Sequence, residues 1–335
     1  MSTAVPLYVL DVGAVVTKRG GRLLVARDGK ALTSAPLMRL SEVVLFGNVG
    51  VTTPALHALL SRDVPVVFLR GDGRARGRLE PAGSPHVQLR LAQLARSADP
   101  ASCLELAREL VAGKLANQRV LLLRRSRRGP GPQREAVRAA AGLLDTHQHA
   151  VLEADSLERL RGIEGAASGA YFRALRLLLP AGTGFQRRER RDPDVVNALL
   201  NYCAALLREY VIGAITAAGL DPHVSFLHLP MRGRPTLAFD LMEEWRPILV
   251  EATMLALLGL RAVTPDDLVP TEEGPRLRPE ACAAAIRRFH ERLGQAAGVT
   301  LSGGGPSYGT RIHRQARRLR TWIQEAQPYK AARWR

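Results

Sequence analysis

Residues 226–247 read FLHLPMRGRPTLAFDLMEEWRP, and they set His228, Asp240, Glu243 and Glu244 among Leu227, Leu237, Phe239, Leu241, Met242 and Trp245. A buried carboxylate is costly unless a cation, a metal or hydrogen bonds accompany it. The stretch is therefore either a core with a structural ion pair or the wall of a site for something positive. A further acid, Glu164, lies in LERLRGIEGAASGAYFRALRLLL (157–179), beside Gly165, Ala166, Ala167 and Gly169. On a helix Glu164, Ser168 and Tyr171 share one face. Glycine in a helix interior costs about 1 kcal/mol, so the small residues have a reason. They either allow a tight helix–helix crossing or leave room for a ligand. Asp240 and Glu243, three apart, also share a helical face. One imidazole with two carboxylates suits Mg²⁺ or Mn²⁺ better than a structural zinc, which prefers thiolates and imidazoles. The interval from 228 to 243 matches no short metal signature.

The charge points to a polyanion. Lys and Arg number 48 against 31 Asp and Glu, a net charge of +17. A fold does not need that excess, and nucleic acid is its usual partner. The arginines cluster in three places: Arg187, Arg188, Arg190 and Arg191; the RRSRR of 124–128; and a basic tail from Arg311 onward. That tail includes Arg317, Arg318 and Arg320, has eight Arg or Lys against Glu325, and interleaves Trp322, Tyr329 and Trp334. Arginine's planar fork matches phosphate bidentately. A membrane is not expected. No apolar run approaches the ~18–20 residues of a spanning helix, and the N-terminus lacks the basic start of a signal peptide. Cys103, Cys203 and Cys282 are scattered, which suits small buried residues in a reducing cytosol.

Two different grammars must position these groups. From residue 7 to about 80 the chain is written in short Val- and Leu-rich pieces (LYVLDV, AVVTK, RLLVAR, VVLFG, VPVVFLR) separated by turn clusters. RDGK carries the Asp-Gly of a tight hairpin. VTTPALHALLSR reads as one helix, capped by Thr52 or Thr53 with Pro54 in its first turn. PAGSP (81–85) reads as a linker. Beyond it Leu, Ala and Val recur at three- and four-residue spacing over 86–123, 134–145, 156–179, 194–217 and 279–296, and these predict long helices. TLAFDLMEEWRPILVEATMLALL predicts a helix broken at Pro247. Gly219 reads as a helix C-cap, and the HQH of 147–149 as a solvated loop. The expected fold is α+β and multidomain: a small, β-sandwich-like N-terminal domain with one helix over 1–83, then a larger all-α domain over 84–335.

Four motifs in order, EGAASGAYF (164–172), FQRRERRDPDVVNALLNY (185–202), GLDPHVSFLH (219–228) and RPTLAFDLMEEWRP (234–247), resemble the CRISPR-associated adaptation integrase/endonuclease family. The match spans the α half, and the β pattern agrees with it. The resemblance implies a dimerising β domain and a catalytic α domain. It implies insertion of short double-stranded DNA fragments as new spacers, by 3′-hydroxyl attack on a phosphodiester of the CRISPR repeat. It implies a Mg²⁺ or Mn²⁺ site formed by Glu164, His228 and Glu243, with Asp240 and Tyr171 supporting. It also implies a homodimer, a small second adaptation protein as partner, and the prokaryotic cytoplasm. Two departures stand out. RRDPD is about one residue shorter than the usual form of its motif, and His223 and Ser225 replace more usual residues. Two rivals use the same residues: a branched-DNA endonuclease, and a non-catalytic architectural DNA-binding protein in which Glu164 and Glu243 merely pair with arginines such as Arg246.

Overall fold

The computed structural model describes residues 5–9, 11–70, 75–79, 86–128, 131–189, 191, 193–272, 274–295, 306–325 and 327–334. Two compact units divide the chain, 1–84 and 85–335. The first is strand-rich and the second mostly helical, the order the two grammars predict.

In the first unit β1 (Val5–Val9), β5 (Leu40–Phe46), β7 (Val66–Leu69) and β8 (Ala75–Leu79) form one sheet, in the order β1-β5-β7-β8. The second sheet has the order β4-β3-β2-β6, from β2 (Val15–Arg19), β3 (Arg22–Arg27), β4 (Lys30–Pro36) and β6 (Gly50–Val51). Their common core is aliphatic: Val16, Leu23, Val25, Val43, Leu45, Leu59 and Val66. Asp28 and Gly29 both take positive φ, 51° and 76°, which the hairpin from β3 to β4 requires. The helix α1 (Thr53–Leu60) starts at Thr52. The Thr52 hydroxyl donates to the Val16 carbonyl at 3.5 Å instead of capping the helix. Three strands escape the sequence reading, and one of them, β6, is only two residues long. Of the two longer ones, β4 is mostly exposed and β8 reads ARGRL, so neither shows an apolar signal.

The helical unit comprises α2 (Val87–Ser97), α3 (Pro100–Arg125), α4 (Gly131–Leu152), α5 (Leu157–Leu177), α6 (Val195–Ala217), α7 (Thr236–Met242), α8 (Ala252–Gly259), α9 (Pro279–Gly294) and α10 (Tyr308–Glu325). The periodic run 86–123 breaks at Asp99, whose carboxylate caps α3 by accepting from Ala101 N (3.3 Å) and Ser102 N (3.0 Å). A π-helical segment, Arg246–Glu251, joins α7 to α8 where Pro247 interrupts the ladder. Gly219 ends α6 with φ +82°, and a Cβ there would meet the His86 ring at 2.4 Å.

Four expectations need correction. The unit is not wholly α, because Leu268–Val269 and Arg276–Leu277 form a short antiparallel ladder. The HQH motif is no loop but part of α4, which continues to bury Leu144 and Val151 on either side of it. Helix α6 is long and apolar enough by composition to cross a membrane. Arg208 and Glu209 interrupt that run as an adjacent ion pair at 2.9 Å, and Leu199, Cys203, Leu207, Val211 and Ile215 are fully buried in the unit's centre. The fourth correction concerns the basic tail, which is core structure. Helix α10 buries Ile312, Ala316, Leu319, Trp322 and Ile323, and Trp245 Nε1 donates to Gln315 Oε1 at 2.7 Å. The following residues strap onto α3: Asn117 Nδ2 donates to the carbonyls of Glu244 (2.8 Å) and Ala332 (2.9 Å), and Trp334 N donates to Asn117 Oδ1 (2.6 Å). Basic residues at three- and four-residue spacing cover one face of an amphipathic helix, and its other face holds the unit together.

Candidate active site

Helix α3 carries Lys114 into the space between two glutamates. Its Nζ lies 2.5 Å from Glu164 Oε1 on α5 and 2.6 Å from Glu243 Oε2, just past the end of α7. The Lys114 and Glu243 side chains are 10% and 7% exposed, and that of Glu164 is 30% exposed. Arg246 Nε adds a second cation at 3.1 Å from Glu243 Oε1. Burial, the largest influence, disfavours the Glu243 charge, but Lys114, Arg246 and His228 outweigh it and hold the carboxyl at about 2. Burial likewise works against the Lys114 ammonium, and the two glutamates more than offset it, so it stays protonated. The acids face one shared cation at close range.

The loop before α7 supplies His228. Asp240 is completely buried and organises that loop. Its Oδ2 accepts from Phe226 N (2.7 Å) and Leu227 N (3.0 Å), and its Oδ1 from His228 N (2.9 Å). The same Oδ1 lies 2.7 Å from His228 Nδ1. An ionised aspartate there accepts from Nδ1–H, which leaves the Nε2 lone pair free. Burial lowers the imidazole's basicity, but the Asp240 hydrogen bond and charge raise it above the ordinary value. The loop is pinned again by Gln93, whose Nε2 donates to the carbonyls of Asp221 and Val224, both at 2.9 Å. Arg161 Nη2 donates to Leu227 O at 2.6 Å.

Two of the small residues around Glu164 do not serve a tight crossing. Gly165 and Ala166 are exposed, and a Cβ on Gly165 would meet nothing within 4 Å. That face of α5 is open beside the acid, and Ser168 Oγ donates to Glu164 Oε1 at 3.2 Å. Tyr171, on the same helix, is fully buried, and burial drives its phenol well above its ordinary value. Its hydroxyl makes no hydrogen bond among the described residues. The fourth acid of the stretch, Glu244, points away and accepts from Tyr329 Oη at 2.5 Å and from Ala332 N. Among the described residues no three His, Cys, Asp or Glu side chains close on one point. Lys114 stands where the two glutamates converge.

A sequence model of the family described as CRISPR associated protein Cas1 matches residues 7–291. The chain belongs to the Cas1 family. A Cas4/Cas1 fusion of Geobacter sulfurreducens, described as a CRISPR-associated exonuclease and endonuclease, is 38% identical over 330 residues, covering 95% of this chain and 58% of the fusion. A similar fusion from Rhodospirillum rubrum is 36% identical and 56% covered, so this Cas1 chain spans little more than half the length of those relatives. The CRISPR-associated endonuclease Cas1 3 of Thermus thermophilus is 36% identical, covering 93% of this chain and 92% of that one. The fold is shared with a casposase bound to its integration product (TM-score 0.79, 21% identity, 98% of this chain and 92% of that one). It is also shared with a chain of a Cas6-RT-Cas1–Cas2 complex (TM-score 0.83, 23% identity, 99% and 36%).

The arginines of this Cas1 chain separate into kinds. Arg188 is structural: it donates to Asn197 Oδ1 at 3.0 Å, and also to Asn201 and the Glu189 carbonyl. Arg187 pairs with Glu189 at 2.8 Å, and Arg191 is exposed. Arg190 lies outside the described residues. On α10, Arg317 and Arg318 are exposed, and Arg320 Nε donates to Gln324 Oε1 at 2.9 Å. His223 is exposed beside Asp221, 3.2 Å from Nδ1 to Oδ1, and takes no part in the acid cluster. Sequence reasoning missed Lys114. Its only signal is a lysine at helical spacing from Leu110 and Leu121 before and after it.

Proposed function

We propose that this chain is a divalent-metal-dependent DNA integrase of CRISPR adaptation, with Glu164, His228 and Glu243 as its metal ligands. One observation carries the reading: in a Cas1 family member, two glutamates from separate segments grip a single cationic group at 2.5–2.6 Å. The Lys114 ammonium is a stand-in there, and the donor set of two carboxylates and an imidazole suits Mg²⁺ or Mn²⁺. The metal, when bound, supplies charge neutralisation and activation of a hydroxyl at neutral pH. The chain's own residues do the rest. Asp240 fixes the His228 loop and tautomer through the backbone N–H groups it collects, and Arg246 keeps Glu243 ionised. The open face of α5 beside Glu164 leaves space for a backbone phosphate. Exposed Arg187, Arg191, Arg317 and Arg318 supply non-specific phosphate contacts, with Arg320 beside them. The net reaction exchanges one phosphodiester for another: a donor 3′-oxygen forms a bond to phosphorus, and a 3′-oxygen of the repeat leaves. Double-stranded DNA, a second copy of the chain and a small second adaptation protein are the partners, in a prokaryotic cytoplasm. The endonuclease descriptions of the relatives favour a second reading, in which water is the nucleophile at the same site.

Donor fragments with free 3′-hydroxyls should be joined to a repeat-containing target in Mn²⁺ with the small partner, whereas donors ending in 3′-deoxynucleotides should not. Label transfer on a denaturing gel reads the difference. A target that is nicked by both donors and joined to neither would leave only the endonuclease reading.

Asp240→Asn tests the support beneath the ligands. The amide opposes one of its own N–H groups to the donors that the carboxylate now accepts. The expected result is a 10–100-fold loss of Mn²⁺ affinity, the usual cost of losing a group that orients a histidine ligand. A Mn²⁺ titration with the same midpoint as the parent protein would remove Asp240 from this role.

A further inference from the structure

Lys114 holds the place that the two glutamates would give to a metal ion, and two cations at that range repel. Its side chain is 10% exposed, and an ammonium buried without a partner is costly. A displaced Lys114 therefore needs a second acceptor inside the protein. Glu251, at the end of the π-helical segment, is buried, and its Oε2 makes no hydrogen bond among the described residues. Gln118 lies one turn beyond Lys114 on the same face of α3, and its Oε1 is likewise buried without a hydrogen bond among those residues. Helix α3 runs alongside the segment that carries Glu251. Asn117 Nδ2 donates to the Glu244 carbonyl at 2.8 Å, and Arg125 Nη2 to the Ala252 carbonyl at 3.2 Å. Gln118 and Glu251 fall between those two bonds. Burial, the largest influence, pushes the Glu251 carboxyl up to about 7. Arg246, its own backbone and Lys114 pull the other way, and Glu243 adds to burial. Tyr171 of α5 and Cys203 of α6 also face that carboxyl, and burial keeps both protonated.

We propose that Glu251 is a second seat for the Lys114 ammonium. Lys114 bridges Glu164 and Glu243 in the metal-free protein, and it turns along α3 to Gln118 and Glu251 when a divalent ion takes its place. The proton that Glu251 holds leaves to solvent, so the relocated ammonium meets one new carboxylate. Glu251 is thereby a positioning residue: it acts on the metal site through Lys114 without touching the ion. The inference rests on the metal reading given under the proposed function.

The test is Mn²⁺ affinity at about pH 6.5, read from the electron paramagnetic resonance of free Mn²⁺, in four full-length proteins: the parent, Glu251→Gln, Lys114→Met and the double variant. At that pH the Glu251 carboxyl is mostly protonated, so glutamine replaces it without a change of charge until Lys114 arrives. Glu251→Gln should weaken Mn²⁺ binding about tenfold in the parent background. In Lys114→Met, where no ammonium needs a seat, it should weaken binding less than twofold. Equal weakening in both backgrounds would make Glu251 a general support of the fold and overturn the proposal. Parent-like affinity in Glu251→Gln would overturn it as well. Glutamine matches the buried carboxyl in size, so cooperative melting is expected. Glu251→Leu, which removes the acceptor and keeps the bulk, gives the same comparison if the amide variant does not fold. Parent protein that binds no Mn²⁺, or whose binding survives Glu164→Ala unchanged, would instead fail the metal reading itself, and the second seat with it.

Discussion

Glu164→Ala and His228→Ala should each reduce metal-dependent strand joining by about three orders of magnitude. That loss corresponds to about 4 kcal/mol of transition-state stabilisation, the scale on which a metal-held charge acts. The two variants should differ in everything else. Glu164 is part-exposed and shares Lys114 with Glu243, so its removal leaves a buried ammonium that still has one partner. His228 has a side chain 39% exposed, and its backbone N–H to Asp240 survives truncation. Both proteins should therefore melt cooperatively. Initial rates of label transfer in Mn²⁺, with melting curves on the same preparations, check this. Parent-like rates in either folded variant would remove that residue from the site.

Lys114→Met should destabilise the metal-free protein by about 3 kcal/mol. Breaking a buried ion pair by removing one partner costs about 3–5 kcal/mol. Arg246, still 3.1 Å from the other Glu243 oxygen, keeps the loss at the lower end, and Glu164 can turn toward water. The same variant should respond more strongly to Mn²⁺ than the parent does, because no ammonium competes for the two carboxylates. Saturation at a hundred times the dissociation constant returns about 2.7 kcal/mol. Urea unfolding with and without Mn²⁺ measures both effects. A variant as stable as the parent without metal, or one that gains no more than the parent from Mn²⁺, would mean that Lys114 does not hold the cation position. Activity does not enter that readout, which keeps this test separate from the first.

Local chemistry in the sequence determined much of the protein. Asp28-Gly29 specified its hairpin because few other pairs accept two positive φ angles. Apolar periodicity marked α5, α6 and α9, since each must bury one stripe or all of its surface. The four motifs placed Glu164, His228, Asp240 and Glu243 in order, and the excess of arginine pointed to phosphate. Other features depended on partners far along the chain. Lys114 is separated by 50 residues from Glu164 and by far more from Glu243, so no window around it contains the charges that make it a cation between two acids. Asp240 and Glu243 share a helical spacing, yet tertiary packing gives them opposite tasks, one gathering backbone N–H groups and the other meeting Lys114. The basic C-terminal stretch looks like a tail because its charges are local, and it is core because Trp322, Tyr329 and Ala332 find α3 and Glu244. Arg125, Arg292 and Trp334 line one pocket although Arg125 stands more than 160 residues before the other two. Charge and periodicity are properties of a segment, but convergence on a point is decided only when helices pack.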